Sequence, residues 1–268
     1  MLRKKKLILL LLILLLTNER GKNGKRFWVK EWLRDRENLS HMKLLKRLKD
    51  SSSEDFKNYL RMDEASFRKL LTLVKPHIKR QNTVMRKAIS AEERLIVTLR
   101  YLATGRTFED LKFSAIISPQ ALGKIIPETC EWIYKALKKE YMKFPKTSEE
   151  WQEIAYNIET RWNFPNCGGS IDGKHLRIVK PANSGSYFFN YKDYHSIVLM
   201  ALVNADYEFI YVNVGCNGRV SDGGVLEYTK FYDKLIEKKL NLPSNDVTKH
   251  NLNFVLWQMM RLHYMKIF

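Results

Sequence analysis

Two aspartates stand where chemistry could begin. Asp172 lies in Ile171-Asp172-Gly173-Lys174-His175, and Asp222 in Gly218-Arg219-Val220-Ser221-Asp222-Gly223-Gly224. A carboxylate on a mostly apolar strand is costly unless it is paired, solvated or bound to metal. Gly173 beside it lets a backbone or a substrate approach closely. A solvent-facing aspartate on an edge strand is the alternative, and on the residues alone it stands level. Asp222 precedes a helical pattern, where the helix dipole favours an acid in any case, so by itself it reads as a cap. Brought to one pocket near the end of a sheet, the two carboxylates would make a hard, oxygen-rich site for Mg²⁺ or Mn²⁺. Paired divalent ions stabilise the attacking and leaving oxygens of an in-line phosphoryl displacement.

Between the two acids runs Pro181-Ala182-Asn183-Ser184-Gly185-Ser186-Tyr187-Phe188-Phe189-Asn190-Tyr191-Lys192, a mixture of turn formers, aromatics and a cation. It would suit a loop that stacks bases and touches phosphate; a hydrophobic hairpin return fits equally. His175 and His195 are conceivable ligands, but single histidines in strands are more often structural.

The elements that must position these residues change texture near Trp162. Before it the pattern is helical. Asp63 caps a helix with Phe67, Leu70, Leu71 and Val74 on one face, expected to end at Pro76. Ser90 and Glu93 form a capping box that opens a helix stopping at Gly105. Thr107–Phe113 and Ser118–Ile126 have helix-turn-helix proportions, although the second offers only Gln120 and Lys124 as polar reach; a plain helical bundle is the alternative. That second helix is expected to break at Pro127 and resume at Trp132. After Trp162 come strands over 169–178, 196–203 and 208–214, a turn at Asn204-Ala205-Asp206, then a helix over 222–239. Three strands and a helix, with a further strand to follow, is the opening order of an RNase H-like α/β fold.

The chain has 268 residues and a formal charge of +18, from 47 Lys and Arg against 29 Asp and Glu. Such an excess calls for a polyanion, nucleic acid before an anionic membrane surface. Cys130, Cys167 and Cys216 are widely spaced with no CxxC pair, which argues against a disulfide framework or a zinc site. Arg3–Lys6 followed by the apolar run Leu7–Leu16 has the first two regions of a secretory signal. The run is shorter than the roughly twenty residues a bilayer needs, and no small-x-small cleavage site follows. A stable membrane association and the secretory route are therefore not expected. Residues 17–53 are basic and poor in pattern apart from Phe27, Trp28 and Trp32, and Ser51-Ser52-Ser53 reads as a linker.

Taken in order, Asn163-Phe164-Pro165-Asn166-Cys167, Ile171-Asp172-Gly173-Lys174-His175, Phe189-Asn190-Tyr191-Lys192 and Gly218-Arg219-Val220-Ser221-Asp222-Gly223-Gly224-Val225 closely resemble the PIF/Harbinger transposase-derived nucleases. Leu99-Arg100-Tyr101-Leu102-Ala103-Thr104-Gly105 matches their helical half. The resemblance runs from about residue 26 to 243. It implies an RNase H-like DDE domain, a divalent cation, DNA cleavage and a nuclear location, with the cytoplasm as second choice. It makes Asp172 the first catalytic aspartate and Asp222 a further acid at the metal. It also implies that DNA targeting calls on a separate Myb-like partner protein.

The family next has a strand ending in Gly/Ala-Asp-Asp/Glu and then a distant glutamate. This chain instead reads Phe254-Val255-Leu256-Trp257-Gln258-Met259-Met260-Arg261 and stops at Phe268. The codons forced by Trp and Met spell Ala, Asp or Asn, then Asp in a shifted frame. The sequence thus reads as a domain garbled and shortened by a frame change, lacking its later acidic ligands. The expected organisation is a basic, largely irregular leader over 1–53, a helical domain over 54–162 and an incomplete nuclease domain over 163–268. The expected activity is metal-dependent DNA hydrolysis, inactive in this form. The alternative is a non-catalytic DNA- or partner-binding fragment.

Overall fold

In a computed structural model the described residues are 30–84, 86–220, 222–243, 254–258 and 265–266, with only the backbone described at 222, 223, 257, 258, 265 and 266. The Leu7–Leu16 run, Phe27, Trp28 and Met259–Arg261 lie outside them. The chain divides into two units, Met1–Ala136 and Leu137–Phe268.

The first unit is helical. After a 3₁₀ turn at Glu31–Leu33 come α1 (Arg36–Leu39), α2 (His41–Ser51), α3 (Ser53–Leu60), α4 (Glu64–Ile78), α5 (Ala91–Thr104), α6 (Phe108–Ala115) and the long α7 (Pro119–Tyr141), within which the division falls. The irregular stretch expected up to residue 53 is thus helical from Arg36 onward, because His41 and Leu45 bury one face of α2. The serine triplet is no linker: Ser52 alone leaves the helical region, and its Oγ accepts from Asp55 N–H to start α3.

Local signals hold where the partners are close in sequence. Asp63 accepts from Ser66 N–H at 2.9 Å, and Ser90 with Glu93 forms the full capping box. Gly105 closes α5 in the left-handed conformation at φ 63°. The expected stops at Pro76 and Pro127 are not observed. Both prolines sit inside continuous helices. Each removes one backbone bond, yet Val74 and Ile78 on either side of Pro76, and Ile125, Ile126 and Thr129 around Pro127, are buried. Packing on both sides of the missing bond carries the helix through.

The second unit is mixed α/β. Helix α8 (Ser148–Trp162) precedes β1 (Cys167–Arg177), β2 (Ser196–Val203) and β3 (Phe209–Asn217); α9 (Asp222–Glu227), α10 (Lys230–Ile236), β4 (Val255–Gln258) and β5 (Met265–Lys266) follow. The five strands form one sheet in the order β3-β2-β1-β4-β5. β1 pairs antiparallel with β2 and parallel with β4, so it sits at the centre. The single helix expected over 222–239 is two short ones, broken where Thr229 leaves the helical region and caps α10 through Tyr232 N–H.

One face of the sheet is closed by a core of Ile171, Val198, Met200, Leu202, Ile210 and Leu256 against Val225 and Leu226 of α9, Phe231 and Leu235 of α10, and Trp151 of α8. Trp151 is fully buried, and its indole N–H donates to Leu240 O at 2.8 Å. Among the described residues no helix is long and apolar enough to cross a membrane.

Candidate active site

Alternation along β1 decides which way each candidate faces. Ile171 is fully buried in the core, so Asp172 points to the other face, with Ser170 and Lys174 two residues to either side. Asp172 is exposed, and its Oδ1 accepts from the N–H of Gly173 at 2.8 Å. Among the described residues that short-range bond is its one hydrogen bond, and its other oxygen is open to solvent or a ligand. In the sheet Asp172 lies opposite Ala201 on β2. It is on the central strand, not on an edge.

The face that Asp172 shares is a groove of about 660 Å³ lined by Ser170, Asp172 and Lys174 of β1, Leu199, Ala201 and Val203 of β2, Phe209 of β3 and Trp162 of α8, among others. Among the described residues, Asp172 and Lys174 are the charged members of its lining. The rest of the lining is mostly apolar, with Ser170, Asn204 and Tyr207 as its polar members. Lys174 did not stand out in the sequence; the signal that would have found it is the period of two counted from Asp172.

Asp222 is the first residue of α9, as expected of an acid at a helix start. The face of α9 carrying Val225 and Leu226 packs on the Ile171 side of the sheet, opposite to the groove. The structure therefore places Asp172 on the open face and the body of α9 against the closed one, and the Asp222 carboxylate lies outside the described side chains.

The loop between β1 and β2 is held by a buried polar cluster. Ser196 Oγ meets His175 Nδ1 at 2.9 Å and accepts from Asn190 Nδ2 at 2.8 Å; Asn190 Oδ1 in turn accepts from the N–H groups of Lys192 and Tyr194. His175 is thereby engaged as a structural group, and His195 packs edge-on to Phe189. The loop leaves Tyr187 and Tyr191 exposed, with Lys192 over the Tyr191 ring. The described cysteines are all free thiols.

Asp172 suits a divalent cation in its chemistry, being a solvent-accessible carboxylate with a free oxygen. Among the described residues no group of three or more His, Cys, Asp or Glu side chains is arranged to hold a metal. β4 is described as far as Gln258, whose Cα pairs with Ile171, one residue short of the level of Asp172.

Comparison with known proteins gives a family model within the second unit and relatives over a longer stretch of the chain. Residues 171–266 match the model for the DDE superfamily endonuclease. The chain is similar to the protein called Antagonist of Like Heterochromatin Protein 1 of Arabidopsis thaliana, 22% identical over 205 residues that cover 74% of this chain and 51% of the relative. It is also similar to the ALP1-like protein of Arabidopsis thaliana, 26% identical over 153 residues, 56% of this chain and 36% of the relative. The chain thus spans about half, or less, of the length of the curated relatives it matches. No solved structure matches it.

Proposed function

We propose that this chain, whose second unit carries a DDE superfamily endonuclease domain matched over residues 171–266, is a metal-dependent DNA endonuclease of transposase origin in which Asp172 is a metal ligand. The observation that carries the reading is the position of Asp172: on the central strand of the sheet, between antiparallel β2 and parallel β4, facing out of the core. A central carboxylate whose one partner among the described residues is its own neighbour's N–H has no structural task there to explain it.

The strand order supports an RNase H-like domain. Three antiparallel strands and helical segments are followed by a strand laid parallel to β1 on its free side, which is the succession expected from the sequence. Asp222 is proposed as a second ligand, offered from the first residue of α9. Bound divalent ions would lower the charge on the phosphodiester and generate the attacking hydroxide. Lys174, on the same strand face as Asp172, would hold a non-bridging phosphate oxygen. For DNA contact the same reading offers the α6–α7 pair, joined through Ile116-Ile117-Ser118, as a helix-turn-helix. A nuclear location and a Myb-like targeting partner belong to the same reading; a relative named as an antagonist of a heterochromatin protein is in keeping with the nucleus.

A specific observation favours low activity in this sequence. Just after the point where β4 pairs beside Asp172, the chain reads Met259-Met260 where the shifted frame spells acids. With neutral residues there, cleavage is expected to be slow or undetectable, and the non-catalytic DNA-binding reading gains weight. The test is nicking of supercoiled plasmid in Mn²⁺ by the full chain, by Met259→Asp, and by Met259→Asp combined with Asp172→Asn. Gain of nicking in the first variant and its loss in the second is the expected pattern. Nicking by the unaltered chain that survives Asp172→Asn would end the proposal.

A further inference from the structure

The helical unit holds a second concave site, unlike the groove on the sheet. It is a cleft of about 510 Å³ between the C-terminal end of α4, the 80–88 connection and the start of α5. Its charged lining is Lys75, Lys79, Arg80 and Lys87 against the single carboxylate of Glu92. Glu92 is engaged by Lys49 at 3.3 Å, Arg80 by Glu128, and Lys87 by Glu37 at 2.6 Å. Lys75 and Lys79 are exposed and have no acidic partner among the described residues.

Cations in the last turn of a helix are favoured by its dipole, which accounts for a lysine at the end of α4. It does not account for the convergence of four cations from two segments in one hollow. Nor is the connection loose. Thr83 and Arg86 exchange both backbone hydrogen bonds, at 3.0 and 3.2 Å. Asn82 Oδ1 accepts from Ala88 N–H at 2.9 Å, and the buried Arg36 donates to Ala88 O at 3.1 Å. Hydrogen bonds that already hold Asn82 and Ala88 in place favour an anion site formed before the anion binds.

We propose that this cleft holds the phosphate backbone of duplex DNA, and that it, rather than the first turns of α7, is the main DNA contact of the helical unit. The choice of DNA over other nucleic acids rests on the endonuclease reading above; the cleft itself does not depend on the metal site. The start of α7, Pro119 to Ile126, which helix-turn-helix proportions would send into the major groove, offers Gln120 and Lys124 as its polar reach, whereas the cleft gathers four cations. An interfacial membrane site would need an amphipathic helix with a broad apolar face to insert. The cleft is concave and cation-lined instead.

The test uses the full chain in EDTA, so that cleavage and metal binding play no part, with a fluorescently labelled duplex of arbitrary sequence. Phosphate contacts are read from the slope of log K against log salt, each contributing about 0.9. Lys75→Gln with Lys79→Gln is expected to weaken binding equally on unrelated sequences and to reduce the slope by about two, while Lys124→Gln leaves it unchanged. An unchanged slope in the double variant overturns the proposal, as does absence of DNA binding by the unaltered chain. So does loss of binding to phosphatidylserine vesicles with DNA binding intact. Should the double variant fail to fold by circular dichroism, each single variant is read instead, with an expected change of about one. A null plasmid-nicking result leaves all of these readouts available.

Discussion

Ile171 on β1 and Gln258 on β4 are Cα partners in the parallel ladder of the second unit. This pairing brings the described end of β4 to within one residue of the level of Asp172. The two segments are far apart in sequence, and no local signal joins them. It also explains why the identity of Met259 and Met260 matters: in the sequence they come directly after the strand that pairs with β1 next to the candidate ligand.

Asp172 is exposed, and among the described residues its one hydrogen-bond partner is Gly173 N–H. Asp172→Asn should leave the melting temperature in metal-free buffer nearly unchanged, within about 0.5 kcal/mol. Any rise in melting temperature produced by Mn²⁺ should disappear in the variant. A large loss of stability without metal would show that the carboxylate has a structural partner after all.

Ser196 is fully buried and serves both His175 and Asn190. Ser196→Ala strands two polar groups, at about 1–3 kcal/mol each when they stay buried. The expected result is a lower urea midpoint together with faster proteolysis within residues 181–195. Loop cleavage at an unaltered rate would separate the cluster from loop order.

His41 is held neutral. Burial first, and the nearby Arg100 guanidinium second, lower its pKa from the usual 6.5 to about 4. Its Nδ1 lies 3.1 Å from the Tyr59 hydroxyl. Between those two values the unfolded chain binds a proton that the folded chain refuses, so stability falls as pH drops from about 6.5 toward 4 and levels off below it. The loss is at most about 3 kcal/mol. Chemical denaturation at pH 7 and pH 4.5 measures it, and His41→Leu should flatten this part of the profile.

Gly168 admits no side chain. A Cβ there would lie 2.6 Å from Phe254 Cε1 and 3.2 Å from Trp151 Cε3. Gly168→Ala should cost roughly 1–3 kcal/mol by forcing the two rings apart. A shift in tryptophan emission on a still-folded protein would report the displacement of Trp151. An Ala variant as stable as the parent would mean that Phe254 does not pack against β1 in solution.

Much of this was written locally. The caps at Asp63, Ser90 and Gly105, the extent of β2 and the turn at Asn204-Ala205-Asp206 each depend on hydrogen bonds or alternation within a few residues, so their residues state them directly. The order of motifs in sequence also pointed to the endonuclease family whose model matches residues 171–266. Other features were decided only by packing. Prolines 76 and 127 lie inside helices because buried neighbours on both sides outweigh one lost backbone bond. Asp172 and Lys174 share an open face because Ile171 is claimed by the core. The convergence of Lys75 and Lys79 with Arg80 and Lys87 requires the chain to turn back between α4 and α5. The sequence by itself determined the types of the residues and the elements that carry them; which of those residues meet was decided by burial, acting between segments too distant in the chain for any local rule to connect.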